Sequence, residues 1–193
     1  MRSELSEVSP VPVKIVVAGG FGVGKTTFVA SISEIEPLTT EAYMTSEGAE
    51  VDDSSQVQRK TTTTVAMDFG RITLTADLIL YLFGTPGQDR FLFLWDDLVR
   101  GALGAVVLVD TRRVADCFPA VNYFESKDLP FIVVVNCFDG IATHQTAAVR
   151  ESLAVPGSVP IIFSDARSRA ATKMVLASLL EHVMSRVPAG TPG

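Results

Sequence analysis

What this chain can fold into is restricted most by eight residues, Gly19-Gly20-Phe21-Gly22-Val23-Gly24-Lys25-Thr26, which stand between two segments of different period. Ahead of them, Val13 to Ala18 is an apolar run broken only by Lys14, the pattern of a parallel strand buried on both faces. Behind them, Thr27, Phe28, Val29, Ile32 and Ile35 recur at helical spacing until Pro37. The eight residues match G-x-x-x-x-G-K-[ST], and strand, loop and helix together form a phosphate-binding unit. Its glycines let backbone N–H groups turn inward around phosphate oxygens, and the helix start adds positive potential. The expected contact set is Gly19, Gly22, Val23, Gly24, Lys25, Thr26 and Thr27. Within it, Lys25 reaches the β- and γ-phosphates and the Thr26 hydroxyl ligates Mg²⁺.

The rest of the chain alternates strand-like and helix-like segments. Leu38 to Lys60 shows no clear period and is rich in Thr, Ser, Glu and Asp, which predicts a long mobile loop. Thr63 to Phe69 and Arg71 to Leu82 predict an antiparallel hairpin turning at Gly70-Arg71. Helices are then expected over Gln88 to Arg100, Ala115 to Ser126, Thr143 to Leu153 and Ser168 to Val187. Strands are expected at Ala105 to Val109, Phe131 to Val135 and Pro160 to Phe163. This alternation predicts an α/β P-loop NTPase with a mostly parallel, doubly wound sheet and an antiparallel edge hairpin. One domain over residues 12–187 is expected, with flexible segments at 1–11 and 188–193.

Composition narrows the surroundings. The longest apolar run, Gly101 to Val109, falls short of the ~18 residues of a membrane span. Met1 to Pro10 carries Glu4 and Glu7 and lacks the basic start of a secretory signal. Neither end carries a lipidation motif, so a cytoplasmic protein without an intrinsic membrane anchor is expected. A formal net charge of −6 argues against direct nucleic-acid binding through bulk charge. Cys117 and Cys137 read as reduced, packed thiols.

Four more segments stand at telling distances from the phosphate loop: Thr64-Val65-Ala66-Met67-Asp68-Phe69, Phe83-Gly84-Thr85-Pro86-Gly87-Gln88, Asn136-Cys137-Phe138-Asp139 and Ser164-Asp165-Ala166-Arg167. With the phosphate loop they resemble the Ras-like small GTPases over Val13 to Val187. The Gly-Gly-Phe-Gly loop, the Gly-Thr-Pro-Gly-Gln switch and the Asn-Cys-Phe-Asp motif are more narrowly similar to the MglA-related conservon GTPases of actinobacteria, including the MfpB type.

That resemblance implies a GTP-binding switch with Mg²⁺ as cofactor. Thr64 would be a second metal ligand, Gly87 would offer its N–H to the γ-phosphate, and Gln88 would orient water. The aspartate expected in the switch is Gly84 here, and the lysine expected in the base motif is Cys137. Asp139 carries the specificity argument: its carboxylate accepts from guanine N1–H and the 2-amino group, and adenine lacks both donors. Asn136 would brace the base loop, and the Ala166 N–H would meet the guanine carbonyl. Asp110, ending a strand, reads as a helix cap.

Bulky Phe21, at a loop position commonly small in such proteins, implies slow unaided hydrolysis; the alternative is an aromatic packed on the adjoining helix. Implied partners are a Roadblock/LC7-type protein and a pentapeptide-repeat protein. Competing readings are a nucleotide-binding scaffold that hydrolyses little and an ATP-dependent kinase, the latter disfavoured by Asp139.

Overall fold

The apolar run that precedes the phosphate loop lies at the centre of a sheet. In the computed structural model, which describes residues 10–36, 38–44, 63–140, 142 and 144–186, strand β1 spans Val11–Gly19. It pairs in parallel with β4 (Leu78–Gly84) on one side and β5 (Ala102–Val109) on the other. Beyond β5 lie β6 (Phe131–Asn136) and β7 (Ile161–Ser164), both parallel to it. Beyond β4 lie β3 (Thr63–Thr75) and the edge strand β2 (Leu38–Met44); β3 is antiparallel to both its neighbours. The order is therefore β2-β3-β4-β1-β5-β6-β7.

Side-chain alternation sorts each central strand between two cores. Ile15 and Val17 of β1, with Val106 and Leu108 of β5 and Ile132 and Val134 of β6, face helices α1 (Lys25–Ile32) and α5 (Arg169–Arg186). Val16, Ala18, Ala105, Val107, Val133 and Val135 face the other way, onto α2 (Trp95–Val99), α3 (Phe118–Ser126) and α4 (Thr146–Leu153). Helices on both faces satisfy strands that are apolar on both faces, which gives the doubly wound α/β architecture expected. Cys117 and Cys137 are free and buried, and burial pushes the Cys117 thiol up to about 12.

Three expectations need correction. The antiparallel pair does not turn at Gly70-Arg71; β3 continues to Thr75, with a register shift between Thr73 and Thr75, and the turn is Ala76-Asp77. Gly70 answers to packing instead. A Cβ there would lie 2.6 Å from Val29 Cγ1 and 3.2 Å from Ser33 Cβ, so the residue is small because α1 crosses the strand at that point. Gly70→Ala is accordingly expected to cost about 1–3 kcal/mol through overpacking, read as a lower denaturation midpoint at unchanged slope.

Second, the head of the supposed loop, Leu38–Met44, is a strand held by its ladder to β3, in the register Leu38↔Phe69 to Met44↔Thr63. Residues 45–62, which include the rest of that supposed loop, lie outside the described residues. Third, Gln88 to Arg100 is not one helix but a 3₁₀ segment, Asp89–Leu94, followed by α2. Elsewhere, Pro119 falls in the first turn of α3, where its missing N–H has no partner to lose. The expected flexible segments at 1–11 and 188–193 lie outside the described residues except for Pro10 and Val11, and Val11 already belongs to β1.

Candidate functional site

The carboxyl ends of β1, β4, β6 and β7 and the start of α1 converge, and the phosphate-loop residues, Gly87, Asn136 and Ala166 meet there. Gly19 leaves β1 with φ +140° and Gly24 enters α1 with φ +106°, backbone regions that favour glycine. Space is short as well: a Cβ on Gly19 would lie 2.4 Å from the Leu108 carbonyl oxygen, and one on Gly24 would lie 2.7 Å from Asn136 Nδ2.

Inside the loop the Lys25 ammonium donates to the carbonyls of Gly19 at 2.8 Å and Gly20 at 2.7 Å. Burial pushes it down to about 8, against the pull of the neighbouring Asp68 carboxylate. The Thr26 hydroxyl donates to Asp68 Oδ2 at 2.8 Å. Val23 is buried in the core beneath the loop, whereas Thr27 and Gly22 face outward. Phe21 is 65% exposed, so the ring projects from the loop and does not pack on the adjoining helix.

Gly87 closes over this cradle. A Cβ at that position would lie 2.6 Å from Lys25 Nζ and 3.0 Å from Phe21 Cα, so the switch segment rests on the phosphate loop itself. Gln88 follows, exposed, at the head of the 3₁₀ segment. Thr64 lies near the start of β3, paired with Tyr43, and its side chain lies outside the described residues.

Asn136 links the parts. Its Nδ2 donates to the Val23 carbonyl at 2.9 Å, and its Oδ1 accepts from the Ala166 N–H at 3.1 Å, both buried. One amide thus joins the phosphate loop to the loop after β7, and the Cys137 N–H adds a bond to the Ser164 carbonyl. Asp139 sits in the 3₁₀ turn Phe138–Gly140 directly after; its side chain lies outside the described residues. Cys137 is buried, and burial raises its thiol above the usual range. Arg112 holds Asp110 through bidentate bonds and lies 4.3 Å over the Phe138 ring, while the Asp110 carboxylate caps the following turn by accepting from the Arg112 N–H.

Two residues near the loop carry no motif that reveals their role. Arg113 donates to the Phe21 carbonyl at 2.9 Å, a bond across 92 residues that no local motif signals. Asp68 is 8% exposed and holds Thr26, although its letter was visible in the Thr64 to Phe69 segment. A cleft of about 520 Å³ lies elsewhere, lined among others by Phe124, Phe131, Val159, His182 and Arg186. It sits near the start of β6, whereas ligands of open α/β sheets bind beyond the carboxyl ends of the strands.

Residues 17–186 match the model of a family described as "Conserved hypothetical ATP binding protein". An uncharacterised protein of Methanocaldococcus jannaschii is 30% identical over 129 residues, which cover 66% of this chain and 71% of that relative. Among solved structures, the cytosolic domain of the T. maritima FeoB iron transporter in apo form is similar, with a TM-score of 0.62 at 14% identity. That match covers 90% of this chain and 64% of the FeoB chain, and at such identity it shows the fold alone.

Proposed function

This chain belongs to the P-loop family described as conserved hypothetical ATP binding protein, and from that premise we propose that it is a guanine-nucleotide switch hydrolysing GTP slowly and with a partner's help. The observation that carries the reading is the Asn136 bridge, which holds the phosphate loop and the loop after β7 together beside the turn bearing Asp139. A base seated there meets a carboxylate that rewards guanine and repels the adenine N1 acceptor. The finer kinship to MglA-related conservon GTPases rests on the quoted motifs. So do a Roadblock/LC7-type partner and a pentapeptide-repeat protein downstream. Among the described residues, no helix is long and apolar enough to cross a membrane.

In this reading Lys25 exchanges its two loop carbonyls for β- and γ-phosphate oxygens. Gly87, now resting against Lys25 and Phe21, withdraws and offers its N–H to the γ-phosphate, which couples the switch segment to the nucleotide. Gln88 orients the attacking water. The donor set suits Mg²⁺: the Thr26 hydroxyl is a hard oxygen ligand beside a carboxylate, and Thr64 would add a second hydroxyl. When bound, that ion neutralises charge developing on the phosphate oxygens.

Competition against a fluorescent GDP tests the base. GTP and GDP are expected to displace it at concentrations about a hundredfold below ATP and ADP; equal or preferred displacement by ATP would sink the guanine reading. A scaffold that hydrolyses little is the second reading, favoured by the outward ring of Phe21 and by Gly84. Single-turnover assays with and without the Roadblock protein separate the two, and no turnover under either condition selects the scaffold. Phe21→Ala is expected to raise partner-stimulated turnover about tenfold, worth about 1.4 kcal/mol of barrier, with nucleotide affinity nearly unchanged.

A further inference from the structure

The phosphate loop is gripped from outside as well as from within. We propose that Arg113 is a positioning residue of the phosphate site, holding the Phe21–Gly22 peptide in the orientation that presents the Gly22 N–H to a bound phosphate. The inference rests on the nucleotide-binding reading above. Lys25 takes the carbonyls of Gly19 and Gly20, whereas the next carbonyl, that of Phe21, turns to Arg113 and accepts from its guanidinium at 2.9 Å. No peptide bond among the described residues is cis, so the C=O and N–H of this unit point in opposite directions. The Gly22 N–H is thereby aimed away from Arg113. Gly22 has φ +72°, and a glycine beside a peptide lets that unit rotate at little cost. Rotated, it would show phosphate an oxygen in place of a donor.

Arg113 is itself built into place. Its backbone interrupts the 3₁₀ segment Thr111–Cys117 with φ −143° and ψ 55°. Its guanidinium lies 3.9 Å from Asp110 Oδ2 and 3.6 Å from Asp116 Oδ2, so two carboxylates steer the fork. Asp110 is buried and also held by Arg112, and Asp116 abuts the loop directly: a Cβ on Gly20 would lie 2.5 Å from Asp116 Cβ. One on Gly22 would lie 3.5 Å from Arg113 Nη2. Gly20, Phe21 and Gly22 thus rest on one segment after β5. With the guanidinium half-exposed, its ion pairs add little to stability, and the consequence of the arrangement falls on the peptide it holds. A charged donor on the carbonyl also polarises that peptide and strengthens its N–H as a donor.

The test compares the intact chain with Arg113→Met, which retains the stem without the charge, and Arg113→Lys, which restores a charged donor. Binding of inorganic pyrophosphate, fluorescent GDP and fluorescent ADP is measured beside thermal melts of the nucleotide-free chain and the amide NMR resonance of Gly22. In the intact chain pyrophosphate is expected to move that resonance downfield. Arg113→Met is expected to weaken pyrophosphate and GDP by the same factor, about tenfold, and to lose the downfield movement. Its melting temperature is expected to stay within about 5 °C of the parent. Arg113→Lys is expected to fall between the two.

Parent affinity in Arg113→Met overturns the proposal. So does a loss of affinity in which the Gly22 resonance still moves as in the parent, or one that the lysine variant shares in full. Weakening of GDP with pyrophosphate untouched also overturns it, because the peptide addresses phosphate and not the base. Preference for ADP over GDP with the Arg113 effects intact overturns the guanine reading and supports this one. An intact chain that binds neither pyrophosphate nor either nucleotide overturns both.

Discussion

Lys25→Met is expected to abolish tight nucleotide binding and to leave a folded protein. The side chain is held almost out of water, and both of its hydrogen bonds go to carbonyls of the loop that it serves, Gly19 and Gly20. Replacing those carbonyls by phosphate oxygens converts two ion–dipole bonds into charge–charge ones in a dry site. Each such bond is worth about 1.5–3 kcal/mol, so removing both costs roughly a hundredfold or more in affinity for GTP and GDP. Methionine retains the aliphatic stem against its buried neighbours and drops a charge that burial already disfavours. The melting temperature of the nucleotide-free chain is therefore expected to stay within about 5 °C of the parent. Titration calorimetry with a thermal melt reads both quantities, and affinity within a few-fold of the parent would remove Lys25 from the phosphate site.

The sequence exposes features whose causes are local. A strand, a glycine loop and a helix in contact along the chain carry their own periods, so β1, the loop and α1 are legible from Val13 to Ile32 alone. Asn136 is legible too, since an amide at the end of a buried strand has few other tasks. What misleads is glycine. Gly70 resembles a turn because turns and tight packing both demand the absence of a side chain, and only the crossing of α1 above β3 distinguishes them.

Gly84 misleads in the same way. Read along the chain it is a missing aspartate; read across the ladder it is room for Asp68. Leu38–Met44 escapes detection because an edge strand is held by its backbone ladder to β3, and backbone pairing leaves no apolar alternation to find. The break between Leu94 and Trp95 is tertiary as well: Trp95 is seated on Tyr123 and Phe124 of α3, which fixes where α2 begins.

Asp139→Asn is expected to exchange the base that the protein selects. A carboxylate accepts two hydrogen bonds, and guanine presents two donors, N1–H and the 2-amino group. Asparagine accepts one and donates one, so the 2-amino group of guanine meets an N–H and the pair repels. Xanthine carries a carbonyl at that position, which the new amide can satisfy. A site built around buried polar groups rejects a mismatched analogue by about 10⁴-fold when a partner is left unpaired, and by less where water reaches the edge. The expected loss for GTP is therefore about a hundredfold or more, with xanthosine triphosphate binding tighter than GTP. The brace leaves this test clean. Asn136 makes its own bonds to Val23 and Ala166, so the phosphate loop and its Lys25 contacts are expected to persist in the variant, and binding of inorganic pyrophosphate is expected to stay unchanged. Equal loss of GTP and pyrophosphate binding would mean that Asp139 supports the loop and does not read the base. Unchanged GTP binding would hand specificity to another residue, and the ATP named in the family's description would become the ligand to pursue.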